Sequence, residues 1–201
     1  MSRLRMRIPM DSASMFRRAF HLASPIFLGY YLLPENLGGG ITRTAVALLV
    51  FGVAMCVEIA RIALGINLFG MRAYEGQRVS AYAQGAVGLA IGLFLVQEAN
   101  LVVPVVLGMA WIDPLAAFVR KRRQSIVIPA LAYFGLFLGT ETVMDAFPWP
   151  TRFALAALAT IAATAVEGPR LPQVDDDFLM QVVPLAVLVV GVAFLPTTAL
   201  A

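Results

Sequence analysis

The sequence predicts an all-α fold, a polytopic membrane bundle of about seven transmembrane helices. Three observations lead to this prediction. Hydrophobic residues make up 60% of the 201 positions and charged residues only 13%, well outside the usual composition of soluble domains. The mean hydropathy is +0.83. Apolar runs also follow one another along the whole chain with short connections. We therefore expect residues 1–201 to form a single integral-membrane domain.

The predicted helices are apolar runs close to the roughly 20 residues that a helix needs to cross a bilayer. They lie at residues 19–34, 42–64, 80–97, 99–119, 126–145, 150–167 and 178–199. The fifth and sixth are the weakest, because polar residues interrupt 140–145 and the tight Pro148–Thr151 connection separates the two. A count of six or eight therefore stays open. Short connections, the first marked by Gly38–Gly40, predict that consecutive helices are antiparallel neighbours.

The basic residues predict the orientation, because Lys and Arg accumulate in cytoplasmic loops. With the N-terminus inside, only Arg43 and Arg152 fall outside, against thirteen basic residues on the cytoplasmic side. The thirteen are Arg3, Arg5, Arg7, Arg17, Arg18, Arg61, Arg72, Arg78, Arg120, Lys121, Arg122, Arg123 and Arg170. We expect a cytoplasmic N-terminus, an outward C-terminus and a location in the plasma (inner) membrane of a prokaryote.

The composition also limits the partners of the chain. Cys56 is the only cysteine, which excludes an internal disulfide and a thiolate metal cluster. The net charge of +3 bears first on the orientation of the chain in the membrane and then on anionic ligands. We expect no nucleic-acid partner, because the chain has no soluble basic face. The basic run Arg120–Arg123 is typical of contacts to anionic headgroups of membrane lipids. The oligomeric state stays open, with a homodimer among the options.

Charged pairs recur at the predicted cytoplasmic ends of the first three helices. The pairs are Arg18 with His21, Glu58 with Arg61, and Glu75 with Arg78. The two members of each pair are three positions apart, so they share a helix face. The arginines are candidate phosphate ligands, and His21 is a candidate general base. The alternative for each pair is an intrahelical ion pair or a boundary hydrogen bond with no further role.

Asp113 lies within the fourth predicted span, about six residues or roughly 9 Å from its cytoplasmic end. An ionisable group at that depth is costly and usually faces the bundle interior at a functional site. Pro114 cannot donate the helical hydrogen bond, so we expect Asp113 to cap a new short helix and to leave a break in the backbone. The alternative is a proline-kinked helix with a structural Asp113. Arg120, two turns later, can share the face of Asp113.

Four carboxylates are concentrated before and at the start of the last predicted helix. They are Glu167, Asp175, Asp176 and Asp177. Hard oxygen ligands favour Mg²⁺ over zinc, and Mg²⁺ in proteins completes its coordination with water and substrate phosphates. The segment therefore predicts a magnesium site with a nucleotide partner. A solvated loop is the alternative, although like charges beside a membrane helix need compensation by a metal or by arginines.

Several motifs together resemble the CTP-dependent lipid kinases. They are RRAFH at Arg17–His21, VEIAR at Val57–Arg61, the Glu75–Arg78 segment, WIDPLAAFVR at Trp111–Arg120, and EGPRLPQVDDDFLMQVVPL at Glu167–Leu185. They occur in the order typical of dolichol kinase, phytol and farnesol kinases and the yeast-type CTP-dependent diacylglycerol kinase. That family is distantly similar to the CDP-diacylglycerol synthases. The motifs cover most of the chain.

The resemblance implies Mg²⁺-dependent transfer of the terminal phosphate of CTP to the hydroxyl of a membrane lipid alcohol. The acceptor would be of the polyprenol, dolichol, phytol or diacylglycerol type. The implied catalytic residues are Asp113, Asp176 and Glu167, and the implied metal ligands are Asp113, Asp175, Asp176 and Asp177. The implied phosphate-binding residues are Arg120, Lys121, Arg61, Arg78 and Arg18, with His21, Glu58 and Glu75 nearby.

The chain departs from the family pattern at two phosphate-binding elements. Val119–Arg123 replaces a Gly-Arg-x-x-Gly turn, and the Lys-Ser-x-Glu-Gly segment is absent. Either the basic run takes over phosphate binding, or the nucleotide, the donor or the activity differs. The alternatives to the kinase are a cytidylyltransferase-like enzyme that makes a CDP-linked lipid, and a non-catalytic transporter or binding protein. ATP in place of CTP also stays open.

Overall fold

The computed structural model describes residues 12–167 and 173–195. These residues form seven α-helices, two short 3₁₀ helices and one β-hairpin. The α-helices are α1 (Ser12–Ala23), α2 (Arg43–Leu64), α3 (Ala81–Ile91), α4 (Ala99–Lys121), α5 (Val127–Met144), α6 (Trp149–Glu167) and α7 (Asp176–Phe194). The 3₁₀ helices are Ser24–Leu32 and Ala73–Gln77, and strands β1 (Asn36–Gly38) and β2 (Ile41–Thr42) pair antiparallel. The predicted cytoplasmic residues Arg3, Arg5, Arg7 and Arg170, and the end of the last predicted span, lie outside the described residues.

Five of the described helices, α2 and α4 to α7, are long and apolar enough to cross a membrane. A sixth apolar stretch, Ala81–Val96, is shorter, even with the π-helical turn at Gly92–Val96 that continues α3. The predicted all-helical bundle is confirmed, and its apolar helices identify a membrane protein. The count of seven spans and their orientation stay predictions.

The helix ends follow local capping chemistry. The Thr42 side chain accepts the N–H of Ala45 and begins α2, and Ser80 does the same for Ala83 at the start of α3. Helix α2 ends at Gly65, whose left-handed backbone (φ 65°) directs its N–H to the carbonyls of the last turn. These caps therefore fix both ends of α2 and the start of α3.

The first helical region differs from the predicted span at 19–34. Helix α1 begins earlier, at Ser12, and a 3₁₀ helix replaces the α-helix from Ser24 onward. Pro25 explains the change, because it lacks the N–H that an α-helix would need there. The predicted glycine turn is the tip of the β-hairpin, where Gly38, Gly39 and Gly40 all have positive φ.

The predicted backbone break at Pro114 is wrong. Helix α4 continues from Ala99 to Lys121 with Pro104 and Pro114 inside it. A proline in a helix removes one hydrogen bond, and the residues on both sides of Pro114 are held by packing. Ile112, Ala116 and Val119 are 8%, 2% and 3% exposed. The alternative of a continuous helix through Asp113 is therefore the observed one.

Helix α4 lies at the centre of the bundle. It packs against α5 and α7, and α6 packs between α5 and α7. The core includes Val102, Val105, Phe137, Leu155 and Leu188, all fully buried. Helix α2 is peripheral, since only 11% of its apolar window is buried against the rest of the protein. Short connections do make α4 to α7 consecutive neighbours, as expected.

Candidate functional site

Three side chains from distant parts of the sequence meet at one end of the bundle. His21 of α1, Asp113 of α4 and Asp177 of α7 place one ligand atom each within 4.8 Å of one another. His21 Nδ1 lies 3.2 Å from Asp177 Oδ2, and His21 Nε2 lies 3.9 Å from Asp113 Oδ2. All three are partly buried. We call these three residues the acidic cluster, and the end of the bundle that holds them the polar end.

His21 connects α1 to both other helices through its two ring nitrogens. Nε2 donates to the backbone carbonyl of Met109 at 3.1 Å, while Nδ1 faces the carboxylate of Asp177. Burial on its own lowers the pKa of His21, but the hydrogen bond and charge of Asp177, the charge of Asp113 and the Met109 carbonyl together raise it to about 9. His21 is therefore an imidazolium cation at neutral pH.

The cationic state also follows from hydrogen-bond chemistry. The Met109 carbonyl can only accept, so Nε2 must carry a proton. Nδ1 faces a carboxylate oxygen, which also only accepts when ionised. Both ring nitrogens are thus donors. His21 therefore serves as a positive bridge between helices in this arrangement, rather than as a free general base.

The donor set of the acidic cluster fits a hard divalent cation. Asp113 and Asp177 supply two carboxylates, which is the number that a protein commonly offers to Mg²⁺. The charges of Asp176 and Glu167 also act on Asp113. Asp113 and Asp177 share the one cation His21, while Glu167 is paired with Arg120, so the acidic cluster keeps an excess of negative charge that a divalent cation would compensate. Asp113 and Asp177 are thus the residues that would hold it.

Asp175 has another role from the one predicted for it. Its side chain accepts the N–H of Asp177 as the cap of α7, and it lies 3.2 Å from Arg72 Nη1. Its own N–H donates to Gln84 Oε1 at 2.7 Å. Burial and the charge of Asp177 raise the pKa of Asp175, against the opposing effect of Arg72. Asp175 therefore fixes the start of α7, which orients Asp177.

Arg120 and Glu167 border the acidic cluster. Arg120 Nη1 lies 3.3 Å from the Glu167 carboxylate and donates to the Glu167 carbonyl at 2.9 Å. The Arg120 side chain is 49% exposed, whereas that of Glu167 is 7% exposed. Asp176, in the first turn of α7, experiences the charges of both Arg120 and Arg72. The ion pair between Arg120 and Glu167 thus joins α4 to α6. It leaves part of the Arg120 guanidinium exposed to solvent.

A second group of polar residues connects α2 to the segment that follows it. Arg61 Nε and Nη2 donate to the Glu58 carboxylate at 2.7 and 2.5 Å, and Arg61 Nη1 donates to the carbonyl of Glu75 at 2.8 Å. Nη2 also donates to the carbonyl of Arg78. Glu58 accepts the N–H and the hydroxyl of Ser80. We call Glu58, Arg61 and Ser80 the clamp.

The clamp gives Arg61 a structural position instead of the predicted phosphate-binding one. Arg61 is 3% exposed and Glu58 is 8% exposed, and the guanidinium is directed to protein acceptors. Glu75 accepts the backbone N–H of Arg72 and lies 4.0 Å from Arg72 Nη1. Arg78 takes part in the clamp through its backbone carbonyl. These residues shape the loop that carries Arg72.

The remaining predicted phosphate ligands lie at exposed positions. Arg18 is exposed on α1. Lys121 lines an open cavity of about 690 Å³ with Arg122, Arg123 and Gln124 at the end of α4. The structure thus brings together His21, Asp113, Asp177, Asp176, Glu167 and Arg120, and places the clamp residues and Asp175 in supporting contacts.

Sequence reasoning missed Arg72, Gln84 and the Met109 carbonyl. Arg72 precedes Glu75 by three residues, so its spacing alone was a usable signal. A backbone carbonyl and an amide such as Gln84 carry no signal in the sequence, since only tertiary packing decides what they contact.

Comparison with protein-family models, with curated proteins and with solved structures finds no match to this chain. The likeness to the CTP-dependent lipid kinases therefore rests on the motifs themselves.

Proposed function

We propose that the protein transfers the terminal phosphate of CTP to the hydroxyl of a membrane lipid alcohol, with Mg²⁺, at the polar end of the bundle. The observation that carries the proposal is the meeting of His21, Asp113 and Asp177 within 4.8 Å. These residues are 92 and 64 positions apart along the chain, and each belongs to a motif that resembles one of the lipid kinases. Their meeting is what a common site requires.

The reaction needs alignment and charge neutralisation more than covalent chemistry. The lipid oxygen forms a bond to the terminal phosphorus, the bond from that phosphorus to the bridging oxygen breaks, and CDP leaves with the electron pair. A bound Mg²⁺ would supply neutralisation of phosphate charge. Asp113 and Asp177 would hold it, and the imidazolium of His21 keeps these two carboxylates in place.

The nearby charged residues have distinct parts in this proposal. Arg120 is half-exposed and fixed by Glu167, so its guanidinium offers donors to a phosphate. Asp176 or Glu167 accepts the proton of the lipid hydroxyl, because both are carboxylates beside the acidic cluster. Lys121 and the arginines that follow it replace the absent glycine turn as an electrostatic contact to the nucleotide.

The helix directions are consistent with the seven-span orientation that the basic residues predict. The ends of α2, α4 and α6 lie at the polar end, and the starts of α3 and α7 lie there too. Together with α1 and its 3₁₀ extension, this alternation supports the predicted seven passes and the predicted cytoplasmic position of the polar end. The active site would then face the inner leaflet of a prokaryotic plasma membrane, where nucleotide and lipid both have access.

The test uses the purified full chain with CTP labelled separately at the terminal and the α phosphate, and a panel of lipid alcohols. We expect terminal label in the lipid, and a decrease of about 100-fold or more in Asp113→Asn and Asp177→Asn. Asp145→Asn, at the opposite end of the bundle, is the matched control and should keep full activity.

Each of the other outcomes would favour a different activity, a different site or a non-catalytic role. Transfer of the α label would establish cytidylyltransferase chemistry instead. Equal rates in wild type and both variants would remove the site assignment. No labelling of any lipid, with CTP or ATP, would favour the non-catalytic alternative.

A further inference from the structure

A carboxyl group without a hydrogen-bond partner lies at the other end of the bundle. Glu141 of α5 is 0% exposed. Within residues 12–167 and 173–195, neither of its carboxyl oxygens has a hydrogen-bond partner. It lies three residues, about 4.5 Å along the axis, before Met144 at the end of α5. The lipid kinase motifs do not include it, and the acidic cluster does not need it.

The two protonation states of such a group differ greatly in free energy. An ionised carboxylate without hydrogen bonds in an apolar interior is far costlier than the neutral acid. Ionisable residues inside membrane helices are therefore rare and usually functional. The environment of Glu141 strongly favours the neutral, protonated carboxyl.

Among the described residues, no cation forms an ion pair with Glu141. Arg152, on α6, is the cation that acts on it. Its Nε donates to the carbonyl of Phe147, and its Nη2 contacts Asp145. From α4 the titratable group at this end is Glu98, and residues 185–194 of α7 contain none. Tyr133, two turns earlier on α5, is the remaining titratable group on the same helix.

An open cavity lies at the same end of the bundle as Glu141. A cavity of about 560 Å³ is lined by Glu98, Asn100, Met144, Phe147 and Val192, among others. Met144 lies in the last turn of α5, three residues after Glu141. A small carrier of protons, such as water, thus comes within about one helical turn of the carboxyl.

We propose that Glu141 is a proton-binding carboxyl site, accessible from this cavity at the end of the bundle opposite the acidic cluster. The site takes a proton rather than a metal ion, because a single carboxyl group with apolar surroundings lacks the several oxygen ligands that a metal needs. The site also reacts with hydrophobic carbodiimides, which require a protonated carboxyl group.

The chemistry of the probe is defined. The acid adds across one C=N bond of dicyclohexylcarbodiimide, so that a C–O bond forms and the acid proton moves to nitrogen. The acyl group then shifts from oxygen to nitrogen and gives a stable N-acylurea. No group leaves, and the mass of the Glu141 peptide increases by that of the reagent.

The experiment treats the full chain in detergent micelles with this carbodiimide at about pH 6 and about pH 10, either side of the range in which a perturbed carboxyl would titrate. Mass spectrometry of the digested protein locates the label. We expect label on Glu141 at the lower pH and a decrease of about fivefold or more at the higher pH. Glu141→Gln should remove this label, and Glu35→Gln, a matched control at an exposed carboxyl outside the cavity lining, should keep it.

Three results would overturn the proposal. They are no label on Glu141 at the lower pH, equal label at both pH values, and protection by sodium chloride at constant pH, which would indicate a metal cation. Mapping the label in wild type makes the test independent of whether Glu141→Gln folds. None of these results depends on the proposed kinase activity.

Discussion

The clamp and the acidic cluster are both groups of acids and bases at the polar end of the bundle, yet they differ in how their charges are satisfied. In the clamp, the Arg61 guanidinium and the Glu58 carboxylate are buried and hydrogen-bonded to each other, to Ser80 and to backbone carbonyls. In the acidic cluster, Asp113 and Asp177 share one cation, His21, and keep 20% and 25% of their side chains exposed.

This difference separates a structural group from a candidate functional one. Charges that are fully paired and buried have no capacity left for a ligand, and removing one partner leaves the other uncompensated. Charges that are repelled by like neighbours and partly exposed gain from a ligand of opposite sign. Charged motifs at similar positions in the sequence can therefore have opposite roles, and burial together with pairing decides between them.

The largest expected effect is on stability and concerns the clamp. Arg61→Ala leaves Glu58 buried without its partner, so the free energy of unfolding should decrease by about 3 to 5 kcal/mol. Asp113→Asn, the counterpart in the acidic cluster, should change it by less than about 1 kcal/mol, because Asp113 faces like charges and lies 3.9 Å from His21. Unfolding in detergent micelles measures both. Equal decreases in the free energy of unfolding for the two variants would contradict this distinction between the clamp and the acidic cluster.

The next effect is a pH dependence that belongs to the acidic cluster. The folded pKa of His21, about 9, lies above its ordinary value of 6.5. The protonated form thus stabilises the fold below about pH 6.5, and this stabilisation, about 3 kcal/mol at most, is lost as the pH rises through 9. Unfolding curves measured across this range should show the loss in wild type.

The control for that titration is His21→Gln, which keeps a hydrogen-bonding side chain without the ionisation. Its stability should be flatter between about pH 6.5 and 9. An unchanged slope in the variant would assign the titration to another group.

A smaller effect concerns the packing of α4, which carries Met109 and Asp113 but no clamp residue. A Cβ at Gly108 would lie 2.3 Å from Cε2 of the buried Tyr133 ring. Gly108→Ala should therefore decrease the free energy of unfolding by about 1 to 3 kcal/mol. Gly139→Ala on α5 is the control, since no atom lies within 4 Å of its added Cβ. A loss in the control as large as in Gly108→Ala would contradict the packing argument.

The smallest effect is expected at Arg72, between the two groups. Its side chain is 39% exposed, and its contacts to Asp175 and Glu75 are at 3.2 and 4.0 Å. Arg72→Ala should change the free energy of unfolding by about 1 kcal/mol or less, because the Arg72 guanidinium is partly exposed and the carboxylates of Glu75 and Asp175 keep their backbone N–H donors. Denaturation of Arg72→Ala and Arg61→Ala in detergent micelles compares the loss of a partly exposed arginine with the loss of a buried one. A loss above about 3 kcal/mol would place Arg72 with the clamp.

The sequence alone was sufficient for the apolar helices and for the gathering of distant charges at one end. Asp113 lies near the predicted cytoplasmic end of one apolar run and the Asp175–Asp177 segment precedes another, so the alternating direction of antiparallel helices places them together. His21 lies near the predicted cytoplasmic end of the first helix, so the same reasoning places it at this end of the bundle. The strong hydrophobic pattern makes these inferences independent of packing detail.

The sequence alone was not sufficient for the contacts of individual side chains. Arg61 and Asp113 look alike as isolated charges in apolar runs, but backbone carbonyls from Glu75 and Arg78 surround only Arg61. The continuous α4 at Pro114 likewise depends on packing that supports both sides of the proline. Such effects arise from tertiary structure, which no local pattern encodes.

Helix α2 has a consequence for how the protein responds to its surroundings. Because 11% of its apolar window is buried by protein, annular lipid is its main solvent. Among the five helices that are long and apolar enough to cross a membrane, α2 is the least buried by the rest of the protein, so we expect its position to depend most on the surrounding lipid. The clamp at the last turns of α2 holds this helix to the segment that carries Arg72, and Arg72 in turn contacts Asp175 at the start of α7.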